Sequence, residues 1–228
     1  MKNRQPNCLK IIKKYFLFYT ETLLTLLLLL SYNSLFSQVH MNKDSVDNII
    51  VSSPAFTIFK DNYFIVGVPL NQKPDAYNSD AKFQFSFKYR INNEALPGEI
   101  YSYFTYTQKS FWDIFRNSSP FAETNYNPGL LLIKPIYSKG DFSKLLMFSI
   151  EHESNGRDST FSRSWNFVSI RYAQIFSKNV HASLKLWTPI GISDNPDITK
   201  YIGYGEIQMS WMIIKNKLFA DASARIGK

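Results

Sequence analysis

Beyond residue 50 the chain alternates between apolar and polar positions with a period of two. In AKFQFSFKYRI, residues 81–91, Phe83, Phe85, Phe87, Tyr89 and Ile91 share one face, and Lys82, Gln84, Ser86, Lys88 and Arg90 share the other. Successive side chains of a strand point to opposite sides, so this is a strand with an aromatic face and a charged one. A soluble sandwich can carry such a pattern. A membrane barrel accounts for both faces at once, with rings toward lipid and charges toward a wet lumen.

The pattern predicts strands near 56–70, 81–91, 99–114, 129–138, 144–155, 164–177, 180–190, 201–214 and 217–226. The clusters NQKPDAYNSD, NNEALPG, SKGD and SKN are rich in turn formers and separate most of them. RNSSPFAETNYNP and SDNPDITK read as longer connections on the functional side. Nine strands is an odd count, whereas single-chain bacterial barrels close with an even one. The last segment, KLFADASARI, still alternates as the chain stops. The expectation is therefore an all-β antiparallel transmembrane β-barrel, with about nine strands in this sequence and the C-terminal part missing.

The N-terminus follows a different rule. Lys2, Arg4, Lys10, Lys13 and Lys14 precede the apolar run Leu23–Leu30, and the small and polar stretch SYNSLFSQ follows. That run is well short of the ~20 apolar residues a spanning helix needs. Residues 1–38 are expected to be an export signal peptide, and 39–228 the outer-membrane barrel domain. The one cysteine, Cys8, falls inside the signal, so the exported chain has neither disulfides nor thiol chemistry. The formal charge is +8, of which residues 1–38 carry +4, leaving +4 with no basic run and no reason to propose nucleic-acid binding. Aromatic residues make up 16% of the chain, and Trp112, Trp187 and Trp211 are expected in interfacial girdles.

One segment carries chemistry. In KLLMFSIEHES, Leu146, Phe148, Ile150, His152 and Ser154 share a face, with Ser149, Glu151 and Glu153 opposite. If the polar face is the lumen, His152 and Ser154 project toward lipid, and Asn166, in step with Val168, Ile170 and Tyr172, joins them from the next strand. Such placement is costly in a merely structural protein and sensible if the substrate is itself a lipid. The histidine would take the proton from the Ser154 hydroxyl as it attacks an ester carbonyl, with Asn166 holding the imidazole. The polar segment GRDSTFS, 156–162, offers carbonyls and hydroxyls suited to a hydrated calcium. On pattern alone, polar residues at a strand end near the headgroups are the favoured reading, since His-x-Ser recurs by chance.

Four segments, in order, carry a resemblance: YTQKSFWDIF (106–115), SSPFAETNYNP (118–128), SNGRDSTFSRSWN (154–166) and DNPDITKYIGY (194–204). From about residue 55 onward the chain resembles the outer membrane phospholipase A family. That resemblance implies a twelve-stranded barrel that uses calcium to hydrolyse acyl esters of phospholipids and lysophospholipids at either glycerol position. It implies Ser154 as nucleophile, His152 as base and Asn166 as orienting residue. It further implies calcium held by the Arg157 carbonyl and Ser162 side chain, with Ser118 supplied by a partner subunit. Asp194 matches an acidic ligand of a second calcium site, whose other aspartate is replaced here by Ser159, with Asp158 one position away. Gln108 matches a residue that pairs across the interface of a calcium-induced homodimer. The alternatives are an inactive truncated barrel or a passive porin, the latter giving no role to an outward His152 and Ser154.

Overall fold

The computed structural model describes residues 41–193, 195–225 and 227. The expected signal peptide, Cys8 and Asp194 lie outside the described residues.

All strands belong to one antiparallel sheet. β1 (Phe56–Ile58) and β2 (Tyr63–Gly67) both pair with β3 (Asp80–Arg90), β1 near its end and β2 near its start. They are two halves of one strand position. At the break, side chains replace the missing ladder bonds: Lys60 N donates to Ser86 Oγ at 3.2 Å, and Ser86 N donates to Asn62 Oδ1 at 2.6 Å. From β3 the chain runs as a meander through β4 (Tyr101–Trp112), β5 (Phe121–Ser138), β6 (Asp141–Ser154), β7 (Ser164–Ser177), β8 (Val180–Ile190), β9 (Gly205–Ile214) and β10 (Leu218–Arg225). Counting the β1–β2 pair once, the nine positions are those the alternation predicts. The architecture is an all-β antiparallel partial barrel.

Two segments depart from expectation. Residues 121–128 form the first part of β5, where a loop was expected. Glu123, Asn125 and Asn127 point inward and Thr124 and Tyr126 outward, so polar residues occupy both faces and the contrast that marks a strand is lost. Residues 198–202 form a short helix, α2 (Ile198–Ile202), rather than the start of β9; α1 is Lys43–Ser52.

The two rims differ. On one rim three connections are tight turns, such as Lys139 (φ 52°) and Gly140 (φ 87°) between Ser138 and Asp141, while the fourth, 91–100, is folded back by a Leu96–Ile100 bridge. Two consecutive left-handed residues give the twist a two-residue hairpin needs. The opposite rim carries the long connections 113–120, 155–163 and 191–204.

Inward residues hold the sheet in its curve. Near the tight-turn rim, buried Tyr101, Tyr103 and Leu131 pack with Ile50, Phe59 and Met147. Here α1 is docked by Tyr101 Oη donating to Asp47 Oδ1 at 2.8 Å, and by Arg90 donating to the Ile50, Val51 and Ser53 carbonyls at the helix end. These donors meet the carbonyls that a helix terminus leaves unpaired. Near the other rim Trp165, Phe167 and Trp187 form a second inner cluster, covered by Ile198 and Ile202 of α2. Trp187 is thus lumenal rather than in a girdle, its Nε1 donating to Gly203 O at 2.9 Å. Period two does put Trp187 in step with Ser183 and Lys185 rather than with Leu184 and Leu186, while the helix that needs it as a wall is hidden in a loop-like segment. Trp211 does face outward and is 55% exposed.

Between the clusters the lumen is charged. Glu151 is 3% exposed and is met by Lys185 at 3.1 Å and Lys60 at 3.4 Å. The outer face over the same strands presents Leu130, Phe148, Ile150, Ile170 and Leu186, all exposed. Apolar outside and polar inside is the inverse of a soluble protein and the pattern of a barrel in lipid.

Candidate active site

The register brings His152 directly opposite Asn166 in the β6–β7 ladder, with Ser154 opposite Ser164. Both residues of the first pair point outward, so the side chains meet on the lipid-facing surface. His152 Nδ1 and Asn166 Oδ1 are 2.8 Å apart. An amide oxygen only accepts, so in the neutral ring the proton sits on Nδ1 and Nε2 holds the free lone pair. That is the tautomer a general base requires. A Cβ added at Gly191 (φ 63°) would lie 3.6 Å from the Asn166 amide nitrogen, so the 191–204 connection begins beside this side chain.

Ser154 is the last residue of β6 and lies two positions along from His152 on the same face. The loop it opens is organised by one side chain that pattern reading passes over. Asn155 is 8% exposed. Its Oδ1 accepts from Arg163 N at 3.0 Å and Arg157 N at 3.3 Å, its Nδ2 donates to Phe161 O at 3.0 Å, and its own N–H donates to Arg163 O at 3.0 Å. A single asparagine therefore closes the loop 155–163. Gly156 (φ 66°) comes next, and a Cβ there would lie 3.0 Å from Tyr126 Cε2. Both its conformation and that close approach call for glycine. Its N–H has no hydrogen-bond partner among the described residues.

Outside the cluster, a polar row continues across the sheet. Tyr126 pairs with Ser154 on one side and with Gln108 on the other. Gln108 faces outward; its Oε1 accepts from Tyr106 Oη at 3.0 Å and its Nε2 donates to Ser110 Oγ at 3.4 Å. Thr124 Oγ1 completes the group by donating to Ser110 Oγ at 3.1 Å.

Arg157 and Ser162 lie on the same loop as Gly156. The Arg157 guanidinium is drawn away to Ala122 O at 2.8 Å and Glu123 at 3.3 Å, so its carbonyl is the group left to serve a cation. Ser162 is half-buried, at the end of the 3₁₀ turn Ser159–Phe161. Ser118 is exposed in the 113–120 connection with φ 63°, on the same rim. Among the described residues no three His, Cys, Asp or Glu side chains gather to form a metal site. The donors here are neutral oxygens, with the exposed Asp158 making no cap hydrogen bond to the turn that follows it. Such a set suits a hard cation that keeps part of its water. Asp194 lies outside the described residues.

Sheet order, rim asymmetry and an apolar exterior define an outer-membrane type of β-barrel, with its polar cluster on the lipid side. Comparison narrows this further. Residues 53–225 match the model of the phospholipase A1 family, and the chain belongs to that family. It is 35% identical over 150 residues to the phospholipase A1 of Proteus vulgaris, covering 63% of this chain and 51% of that protein. With the Escherichia coli K12 phospholipase A1 it is 34% identical over 146 residues, covering 60% and 49%. The chain spans about half the length of these curated relatives. Among solved structures it resembles the Salmonella typhi outer membrane phospholipase dimer with bound calcium, with TM-score 0.64 and 29% identity over 75% of this chain and 72% of that one. It also resembles an Escherichia coli outer membrane phospholipase A in which an active-site asparagine is replaced by alanine. There the TM-score is 0.65 and the identity 27%, over 80% of this chain and 77% of that one.

Proposed function

We propose that this protein is an outer-membrane phospholipase that hydrolyses acyl esters of phospholipids and lysophospholipids through Ser154, His152 and Asn166. The observation that carries the reading is the 2.8 Å His152–Asn166 contact on the outward face, beside Ser154 and next to an apolar strip. A lipid acyl chain lying along Phe148, Ile150 and Ile170 brings its ester to the strand end where Ser154 sits. His152 Nε2 accepts the serine proton as Oγ attacks the carbonyl carbon, and Asn166 keeps the ring in the required tautomer. The Gly156 N–H donates to the oxyanion that forms. The imidazolium then protonates the leaving glycerol oxygen, and water, activated by the same histidine, releases the fatty acid.

The Arg157 carbonyl and Ser162 hydroxyl would hold calcium, with the partner subunit's Ser118 completing the set, and the ion supplies positive charge near the oxyanion. An amide orients imidazole but stabilises imidazolium less than a carboxylate does, so added positive charge at the oxyanion is of use. Asp194 is the candidate ligand of a second ion. The dimer of the Salmonella typhi relative, with its bound calcium, supports a homodimer here, with the outward Gln108 at the interface. The site lies on the rim with the long connections, which in outer-membrane barrels is the extracellular one. A passive pore is disfavoured by the aromatic clusters and ion pairs that fill the inner face.

The test is Ser154→Ala in the full chain. Ester hydrolysis is expected to vanish while the sheet assembles normally; turnover at the wild-type rate would overturn the assignment.

A further inference from the structure

The main chain of His152 is held in an uncommon way. The β5–β6 ladder pairs Tyr126 with Ser154 and Gly129 with Glu151, with no pairs between them. The register on both sides of this gap puts Pro128 opposite His152. Proline has no N–H, so β5 cannot give the His152 carbonyl the donor a ladder would supply. Asn127 takes that role: its Nδ2 donates to His152 O at 3.0 Å.

The asparagine is itself fixed. It is 7% exposed on the lumenal side, and its Oδ1 accepts from Lys60 Nζ at 3.1 Å. Lys60 also reaches Glu151 Oε2 at 3.4 Å. Glu151, the residue before His152, is held in turn by Ser149 Oγ at 2.7 Å and Lys185 Nζ at 3.1 Å. Gly129 makes room for this carboxylate, since a Cβ there would lie 2.9 Å from Glu151 Cγ. The lumenal chain Glu151–Lys60–Asn127 thus returns to the backbone one residue further along.

We infer that Asn127 is a positioning residue for the catalytic histidine, replacing the ladder donor that Pro128 withholds. The inference rests on the Ser154–His152–Asn166 reading above. The imidazole is joined rigidly to this stretch of backbone, and its ring must meet both Asn166 and Ser154. Freed from the Asn127 amide, the strand segment at His152 has no bond toward β5 from its carbonyl. A displacement of about 1 Å in a reacting group can cost about a hundredfold in rate.

The test compares Asn127→Leu, which removes the amide at similar volume, with Asn127→Leu combined with Pro128→Ala, which returns an N–H to the ladder. Both are made in the full chain in detergent micelles. The readouts are turnover of a short-chain phosphatidylcholine, labelling of Ser154 by a fluorophosphonate, and hydrogen–deuterium exchange over residues 150–155. For Asn127→Leu, kcat is expected to fall about tenfold to a hundredfold with KM within about twofold. Labelling should slow in parallel and exchange should quicken. The double variant is expected to regain most of all three, which a loss of packing alone would not allow. Unchanged kcat and exchange in Asn127→Leu, or no recovery in the double variant, would overturn the inference. If the wild-type chain neither turns over lipid nor labels at Ser154, the active-site reading fails, and exchange alone then decides. Faster exchange reversed by Pro128→Ala upholds the brace; unaltered exchange removes it.

Discussion

His152 and Asn166 stand directly across from each other in neighbouring strands, and their side chains meet at 2.8 Å on the face turned to lipid. In an antiparallel pair, side chains of opposed residues are held at near-contact by the ladder itself. The orientation of the imidazole is therefore set by strand register, and slipping either strand by one residue would turn its own member of the pair to the lumen and break the contact.

Replacing Asn166 tests that arrangement. Asn166→Ala is expected to lower kcat by about a hundredfold, the scale of a misoriented base, with unchanged assembly by heat-dependent gel migration. Asn166→Asp should lose much less, because a carboxylate also accepts from Nδ1 and better stabilises the imidazolium. Equal losses in the two variants would mean that the acceptor at this position does not orient His152.

Gly156 and Tyr126 form a second testable contact. Gly156→Ala puts a methyl 3.0 Å from the Tyr126 ring at φ 66°, a combination expected to cost on the order of 1–3 kcal/mol in the local structure. The loss should appear as reduced Ser154 labelling. Adding Tyr126→Ala should relieve the steric part, so a double-mutant cycle is expected to give clear coupling.

The lumenal ion pairs bear on assembly. Glu151→Leu leaves the Lys185 ammonium, 16% exposed, without its carboxylate, with Lys60 further out at 37%. Because Lys60 is partly solvated, a penalty of roughly 1–3 kcal/mol is expected, below that for a fully buried broken pair. A lower unfolding temperature in micelles would register it. Glu151→Leu/Lys185→Met should recover part of the loss.

Calcium dependence is expected to trace to the 155–163 loop. Excess chelator should abolish turnover, and Ser162→Ala should raise the calcium concentration for half-maximal rate by about tenfold or more, since even a partner that only supports a metal ligand is worth about that much. Full turnover in chelator would remove calcium from the mechanism.

How much of this was legible in the sequence depends on which side of a strand water meets. Phe83 to Ile91 announce a strand because lipid and lumen demand opposite side chains. His152, Ser154 and Asn166 share a common face for the same reason, and the alternation alone shows it. Residues 121–128 carry no such contrast and read as part of a longer connection, so the alternation starts β5 only at 129. Asn127 and Asn155 carry no signal in the sequence, because each acts through backbone groups that only the folded loop and ladder bring near. Trp187 is in step with the lumenal Ser183 and Lys185, but the apolar cover that seats it there, Ile198 and Ile202, comes from a helix whose sequence resembles a loop.

The outward position of the cluster has a kinetic consequence. A substrate that arrives along Phe148, Ile150 and Ile170 travels in two dimensions, through the leaflet and never through bulk water. The rate should then follow the mole fraction of phospholipid in the surface, so diluting it with inert detergent should slow hydrolysis even when its total concentration is held fixed.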